Sequence, residues 1–198
     1  MLSQRGQLNL GHSDANMTVL SKRGNTMRAN GIDADILTRE EVQKIAPYFD
    51  YTPSARFPIY GALWQDRAGV ARHDAVAWGY ARGADSYGVD LIQNCEVLGF
   101  VKEGERVVGV ETTRGRINAR KVGMTVAGHT GHLAEKAGLK LPIETHVLQA
   151  FVSEPLKPMV DIVVSCGAMH FYLSQSDKGT LVFGGDLDGY NSYAQRGN

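Results

Sequence analysis

Two places in the sequence combine residue type and spacing in a way that could do chemistry: His73, and the run Val126-Ala127-Gly128-His129-Thr130. His73 directly precedes Asp74, a good helix N-cap, and Val76, Tyr80, Ala84 and Tyr87 follow at helical spacing. The positive end of a helix dipole opposes imidazolium. A neutral ring nitrogen is the form that ligates or attacks. His73 is therefore a candidate ligand or nucleophile, against the commoner reading of a histidine flanking a cap. Ala127-Gly128 closes an apolar, strand-like run from Lys121 to Ala127, and Thr130 can cap a helix that continues to Ala137 and stops at Gly138. A small-residue turn between strand and helix lets backbone N–H groups approach an anionic ligand, although most such turns are plain connections.

The other histidines offer less. His129 and His132 lie three apart without a third ligand, which argues against a metal site. His170 sits in the alternating run Met169 to Leu173, on the side opposite Phe171. Gly104 to Gly109 and Gly179 to Gly185 both lack the three-glycine dinucleotide pattern, so a main phosphate cradle is expected outside these residues. No serine elbow, Cys–His arrangement or pair of carboxylates at helical spacing stands out.

These candidates need elements to position them. The first residues, Leu2 to His12, alternate weakly and read as a strand; Asn16 to Asn30 reads as a helix ended by Asn30-Gly31. Thr38 with Glu41 forms a capping box for a short helix from Arg39 to Ala46, stopped by Pro47. A short strand is expected at Ala62 to Trp64 and another at Val89 to Gln93. Glu96 to Val101 and Val107 to Thr113 form a hairpin across Glu103-Gly104-Glu105, with a further turn at Arg114-Gly115. Later strands are expected near Glu144 to Ser153, Ala168 to Ser174 and Thr180 to Gly184. The pattern is a mixed α+β or α/β one. Physical reading of the residues alone ends at a mixed domain with nucleotide-binding potential.

Composition narrows the class. Of 198 residues, 43% are hydrophobic and 21% charged, enough apolar side chains for a packed core. Lys plus Arg and Asp plus Glu are both 21, and no basic run exists, which argues against nucleic acid or an anionic membrane as partner. Cys95 and Cys166 lie in apolar, strand-like stretches and read as reduced core thiols. No apolar stretch or leader pattern stands out, so a cytoplasmic location is expected. The chain opens on strand-like residues and stops at Gln195 to Asn198 without a closing element, so it is read as an internal segment of a longer protein.

The stretch from Glu96 to Pro142 resembles the D-amino-acid-oxidase-like flavoprotein family. Val97-Leu98-Gly99-Phe100, Val110-Glu111-Thr112-Thr113-Arg114-Gly115, Ala127-Gly128 and Gly138-Leu139-Lys140-Leu141-Pro142-Ile143 follow in the family's order. Ser3-Gln4-Arg5-Gly6, the run Ala71 to Gly79, Ile92 to Val97 and Tyr190 to Gly197 are similar to its heterotetrameric, sarcosine-oxidising branch. In that branch the histidine of the second segment is linked to the 8α-methyl of FMN; carried over, this is His73. The resemblance also implies FAD contacts at Val97, Ala127, Gly128, His129 and Thr130. His129 and Thr130 stand where the family has aromatic or small residues, so backbone contacts carry over there.

The fold so implied has two interleaved domains: a substrate-domain segment over 1–68, part of an FAD-binding domain over 69–139, and a substrate-domain antiparallel sheet over 140–198. The implied reaction oxidises sarcosine on FAD, gives glycine and formaldehyde or passes the one-carbon unit to tetrahydrofolate, and sends electrons through FMN to oxygen, forming hydrogen peroxide. Partners would be alpha, gamma and delta subunits. The Gly-rich FAD fingerprint would precede Met1 and the catalytic lysine would follow Asn198. A related secondary-amine or amino-acid dehydrogenase without covalent FMN, and a non-catalytic dinucleotide-binding scaffold, are the alternatives.

Overall fold

Strands from opposite ends of the chain meet at the centre of its largest sheet. The computed structural model describes residues 2–146 and 148–187. Two compact units emerge: Met1–Ala77 with Leu148–Asp186, and Trp78–Val147 with Leu187–Asn198.

In the first unit, β1 (Leu2–Gln4), β2 (Gln7–Gly11), helix α1 (Asp14–Ala29), β3 (Asp35–Thr38), α2 (Arg39–Ile45), β4 (Gly61–Gln65) and β5 (Gly69–Ala71) come first. Helix α3 (His73–Ser86) then leads into the second unit, whose boundary falls after Ala77. There lie β6 (Val97–Glu103), β7 (Arg106–Thr112), β8 (Gly115–Asn118) and α4 (Thr130–Lys136). The chain then returns with β9 (Leu148–Pro155), β10 (Val163–Cys166), β11 (Phe171–Gln175) and β12 (Thr180–Leu187).

The seven-stranded sheet has the order β3-β4-β2-β10-β11-β12-β9. Its centre is the parallel pair β2 and β10, with Leu8 opposite Val164 and Leu10 opposite Cys166. All four are buried, as alternation requires of a face packed on a core. Val42 and Ala46 of the α2 segment join that cluster together with Ala62. The neighbouring Leu63 belongs instead to a second cluster with Leu20 and Ala34, so α1 and α2 cover opposite faces of the sheet. Gly24 lets α1 lie close: a Cβ there would sit 3.0 Å from Leu63 Cδ1. A separate two-stranded piece pairs β1 with β5, Ser3 opposite Val70.

The second unit holds the antiparallel sheet β6-β7-β8. Gly104, with φ 61, takes the first central position of its two-residue hairpin, where a II′ turn needs a glycine. Buried Thr112 closes the next turn by donating to Gly115 O at 2.6 Å and accepting the Arg114 N–H at 3.1 Å.

Several expectations shift. Helix α1 starts at Asp14, because Ser13 caps it by accepting the Asn16 N–H. Lys121 to Val126 and Val89 to Gln93 are not strands: a strand exists only when paired, and none of the described residues pairs with them. Cys95 accordingly lies in an irregular stretch, whereas Cys166 is buried in β10. His170 precedes β11 in a turn, with φ 48. Thr130 does not cap α4; its hydroxyl donates back to Ala127 O at 2.6 Å. Strands β3, β5 and β10 were not foreseen. The Tyr190 to Gly197 segment lies outside the described residues.

Candidate functional site

His73 faces a cavity of ≈570 Å³ whose lining belongs wholly to the first unit. The β1–β5 pair sets its position: Leu2 stands opposite Ala71, and helix α3 starts two residues later. Val76 N–H donates to Arg72 O at 3.0 Å, closing the first helical turn. His73 is thus the first helical residue. Asp74 sits within the first turn, which corrects its assignment as N-cap. Its carboxylate is held below the usual range by the Ala75 N–H and then by Arg72. Arg72 reaches Asp74 Oδ2 at 3.2 Å and Asp177 Oδ2, on the β11–β12 turn, at 3.9 Å. The Asp74 carboxylate is therefore engaged with a backbone N–H and a guanidinium beside the imidazole.

The cavity has two kinds of wall. Val70, Val152 and Val182 supply apolar surface; Arg5, Arg72 and Lys178 supply positive charge, and the two carboxylates of the lining, Asp74 and Asp177, both lie against Arg72. His73 is solvent-exposed, which leaves its ring open to a ligand. This donor set fits a mononucleotide whose ring system lies on apolar side chains and whose phosphate meets cations. The volume falls within the range of about 300–1,000 Å³ common for ligand pockets.

The remaining predicted site residues lie in the second unit. Ala127, Gly128 and His129 form a single 3-10 turn before α4, and Val97 opens β6. Ala127 adopts φ 45, a left-handed conformation that costs a residue with a Cβ about 1–2 kcal/mol. Strain of that kind persists where surrounding structure over-determines it, commonly at ligand sites. Thr145 Oγ1 donates to Gly128 O at 2.8 Å, fixing the turn. Among the described residues, a Cβ built on Gly128 would meet only Thr145 Cγ2, at 3.4 Å, so no other described residue crowds that side of the turn. That leaves the backbone approachable by a nucleotide. Among the described residues no group of three His, Cys, Asp or Glu is placed to hold a metal.

The model for the FAD dependent oxidoreductases matches residues 1–197. The chain belongs to the FAD dependent oxidoreductase (DAO) family. Within this family it is 64% identical over 198 residues to the sarcosine oxidase subunit beta of Rhizobium meliloti strain 1021, covering all of this chain and 47% of the relative. It is 49% identical over 197 residues to the sarcosine oxidase subunit beta of an Arthrobacter species, covering 49% of that protein. The chain therefore spans about half the length of the curated relatives it matches. Among solved structures, L-proline dehydrogenase from P. horikoshii superposes with a TM-score of 0.84 at 26% identity, over 98% of this chain and 52% of that one. No helix among the described residues of this family member is long and apolar enough to cross a membrane.

Arg5, Gln175, Asp177 and Lys178 were not foreseen as cavity residues. Arg5 lay in a segment already singled out by its resemblance, but without a role. The other three come from the far end of the sequence, and only the pairing of β10 with β2 and β11 brings them to β1.

Proposed function

We propose that the protein works as the beta subunit of a flavin-dependent sarcosine oxidase, with FMN carried covalently on His73. The observation that carries this reading is the exposed His73 on the wall of a cavity with apolar and cationic sides, in a chain so similar to subunits of that name. When bound, the flavins supply hydride acceptance and electron transfer, and the protein supplies position and electrostatics. His73 stands in the cavity wall, where its imidazole would hold the flavin. Arg72 and Asp74 hold each other beside it, and the valines shield the ring system from water. The turn Ala127 to Thr130, with Val97, would hold FAD through backbone, and the unit containing Trp78–Val147 would then supply most of the FAD-binding segment expected over 69–139. The first unit then carries the substrate-domain segments.

Glycine, a one-carbon unit taken up by tetrahydrofolate, and hydrogen peroxide formed from oxygen are the products in this reading. The alpha, gamma and delta subunits complete a cytoplasmic assembly. The likeness to L-proline dehydrogenase favours a second reading, a dehydrogenase without covalent flavin. One experiment separates them. In the full-length subunit, the denatured band should fluoresce with bound flavin, and His73→Asn should remove that fluorescence completely while leaving extractable FAD. Fluorescence that survives His73→Asn, or a wild-type band without any, excludes His73 as the attachment point.

A further inference from the structure

Ser3-Gln4-Arg5-Gly6 is a resembling segment at the cavity to which the proposed attachment at His73 gives no role. Its structure is specific. The N–H groups of Arg5 and Gly6 both donate to Ala68 O, at 3.0 and 2.9 Å. Gly6 has φ 79, and a Cβ there would lie 1.9 Å from the Trp64 ring, so the backbone at this point is confined. The Arg5 side chain is held as firmly: Nε donates to Ser3 Oγ at 2.8 Å and Nη1 to Gln175 O at 2.7 Å. Both acceptors are neutral. No carboxylate among the described residues pairs with Arg5, although it is half-buried in the cavity wall. A fixed, partly desolvated guanidinium without a counter-charge is poised for an anion.

Gln175 extends the arrangement. It is 4% exposed, and its side chain is saturated: Oε1 accepts the Met159 and Val160 N–H groups, and Nε2 donates to Lys157 O at 3.0 Å and Gly179 O at 2.8 Å. This single buried residue thus ties down both the carbonyl that orients Arg5 and the turn that carries Lys178. Lys178 also lines the cavity and has no ion pair among the described residues. Arg72, by contrast, is engaged by two carboxylates.

We infer that Arg5, supported by Lys178 and positioned by Gln175, forms an anion subsite that takes the phosphate of the mononucleotide attached at His73. The inference rests on the proposed reading of His73 and adds the opposite end of the ligand. It makes the cavity selective for FMN over riboflavin, which shares the ring system and lacks the phosphate.

The test uses the full-length subunit with its partner chains in a His73→Asn background, so that flavins exchange freely. Equilibrium dialysis would measure the binding of FMN and of riboflavin, and inorganic phosphate would serve as competitor. Charge-assisted hydrogen bonds of this kind are worth roughly ten- to a hundredfold in binding. Arg5→Met should weaken FMN by about that factor and leave riboflavin within about twofold. Lys178→Met, at an exposed turn, should weaken FMN about three- to tenfold and more at low salt. Phosphate should compete with FMN in the parent and lose that effect in Arg5→Met. Equal binding of FMN and riboflavin by the parent, no binding of either, or an FMN preference unchanged in both variants would overturn the subsite. A wild-type subunit without covalent flavin would sink the His73 attachment alone, because the FMN to riboflavin ratio is measured without it.

Discussion

In the first unit, buried side chains from both ends of the chain close one core: Leu8 and Val42 against Val164 and Cys166, each with essentially no exposed surface. In the second unit much of the apolar surface is left uncovered by the described residues. Helix α3 has no buried residue, Tyr80 is 79% exposed, and just past the helix Tyr87 is 90% exposed. The run Lys121 to Val126 has strand chemistry and no paired strand among the described residues. The difference shows what local sequence can and cannot specify. Helix caps and hairpin turns form within a few residues in both units. A packed face requires a partner, and among the described residues both partners are seen in the first unit.

A pair of glycines with the same backbone angle sharpens this comparison. Gly6 in the first unit and Gly88 in the second both have φ 79, so alanine meets the same left-handed strain at each. Gly88 has none of the described residues within 4 Å of where a Cβ would stand, whereas at Gly6 the Trp64 ring lies 1.9 Å away. Gly88→Ala should cost about 1 kcal/mol. Gly6→Ala should cost about 3 kcal/mol, because overpacking is added to the strain. Denaturant unfolding of the full-length protein, followed by hydrogen exchange in each unit, measures both. Equal losses would mean that the first unit's interior yields as readily as the second unit's surface.

How far the sequence foretold these elements follows the same division. The capping box at Thr38, the hairpin at Gly104 and the stop at Gly138 are local devices, and each was read from a few neighbouring residues. Strands β3, β5 and β10 were missed because three or four residues, Asp35–Thr38, Gly69–Ala71 and Val163–Cys166, are too short to show alternation without their partners. His73 and the Ala127 turn were picked out by residue type and resemblance. The cavity around His73 was not, because Arg5 and Gln175, 170 residues apart, meet only through sheet order.

Two threonines expected to cap helices give a finer contrast. Thr38 does so: its hydroxyl accepts the Glu41 N–H, and Glu41 accepts the Thr38 N–H at 2.8 Å. Thr130 instead donates to Ala127 O. Thr38→Ala should therefore cost about 1 kcal/mol, and Thr130→Ala less than about 0.5 kcal/mol. The first has a pH signature. The Thr38 N–H, then its hydroxyl, hold the Glu41 carboxyl below its ordinary value of 4.5. A depressed carboxyl stabilises the fold above the unfolded value, and the stabilisation disappears as pH falls through the folded one. The contribution should thus be complete above about pH 5, decline below it, and be absent in Glu41→Gln, whose amide does not titrate. Unfolding curves from pH 7 to 3 that run parallel for wild type and Glu41→Gln would show that the box has no such electrostatic part.

The smallest change in stability is expected at Gly128, and that smallness makes it informative. Its φ is not in the left-handed region, so alanine brings no backbone strain. Among the described residues its Cβ would touch only Thr145 Cγ2, at 3.4 Å, and that methyl can give by a few tenths of an ångström. Gly128→Ala should then shift stability by less than about 0.5 kcal/mol. If the turn meets FAD through its backbone, the same methyl stands where the nucleotide approaches. FAD retention should then fall by roughly tenfold or more, because an added methyl overpacks a tight interface. Thermal unfolding of the apoprotein and FAD content after dialysis, measured on one full-length preparation, separate the two effects. A variant that keeps its FAD and is merely less stable would make this turn an ordinary connection into α4. The left-handed Ala127 beside it would then be strain without a ligand to account for it.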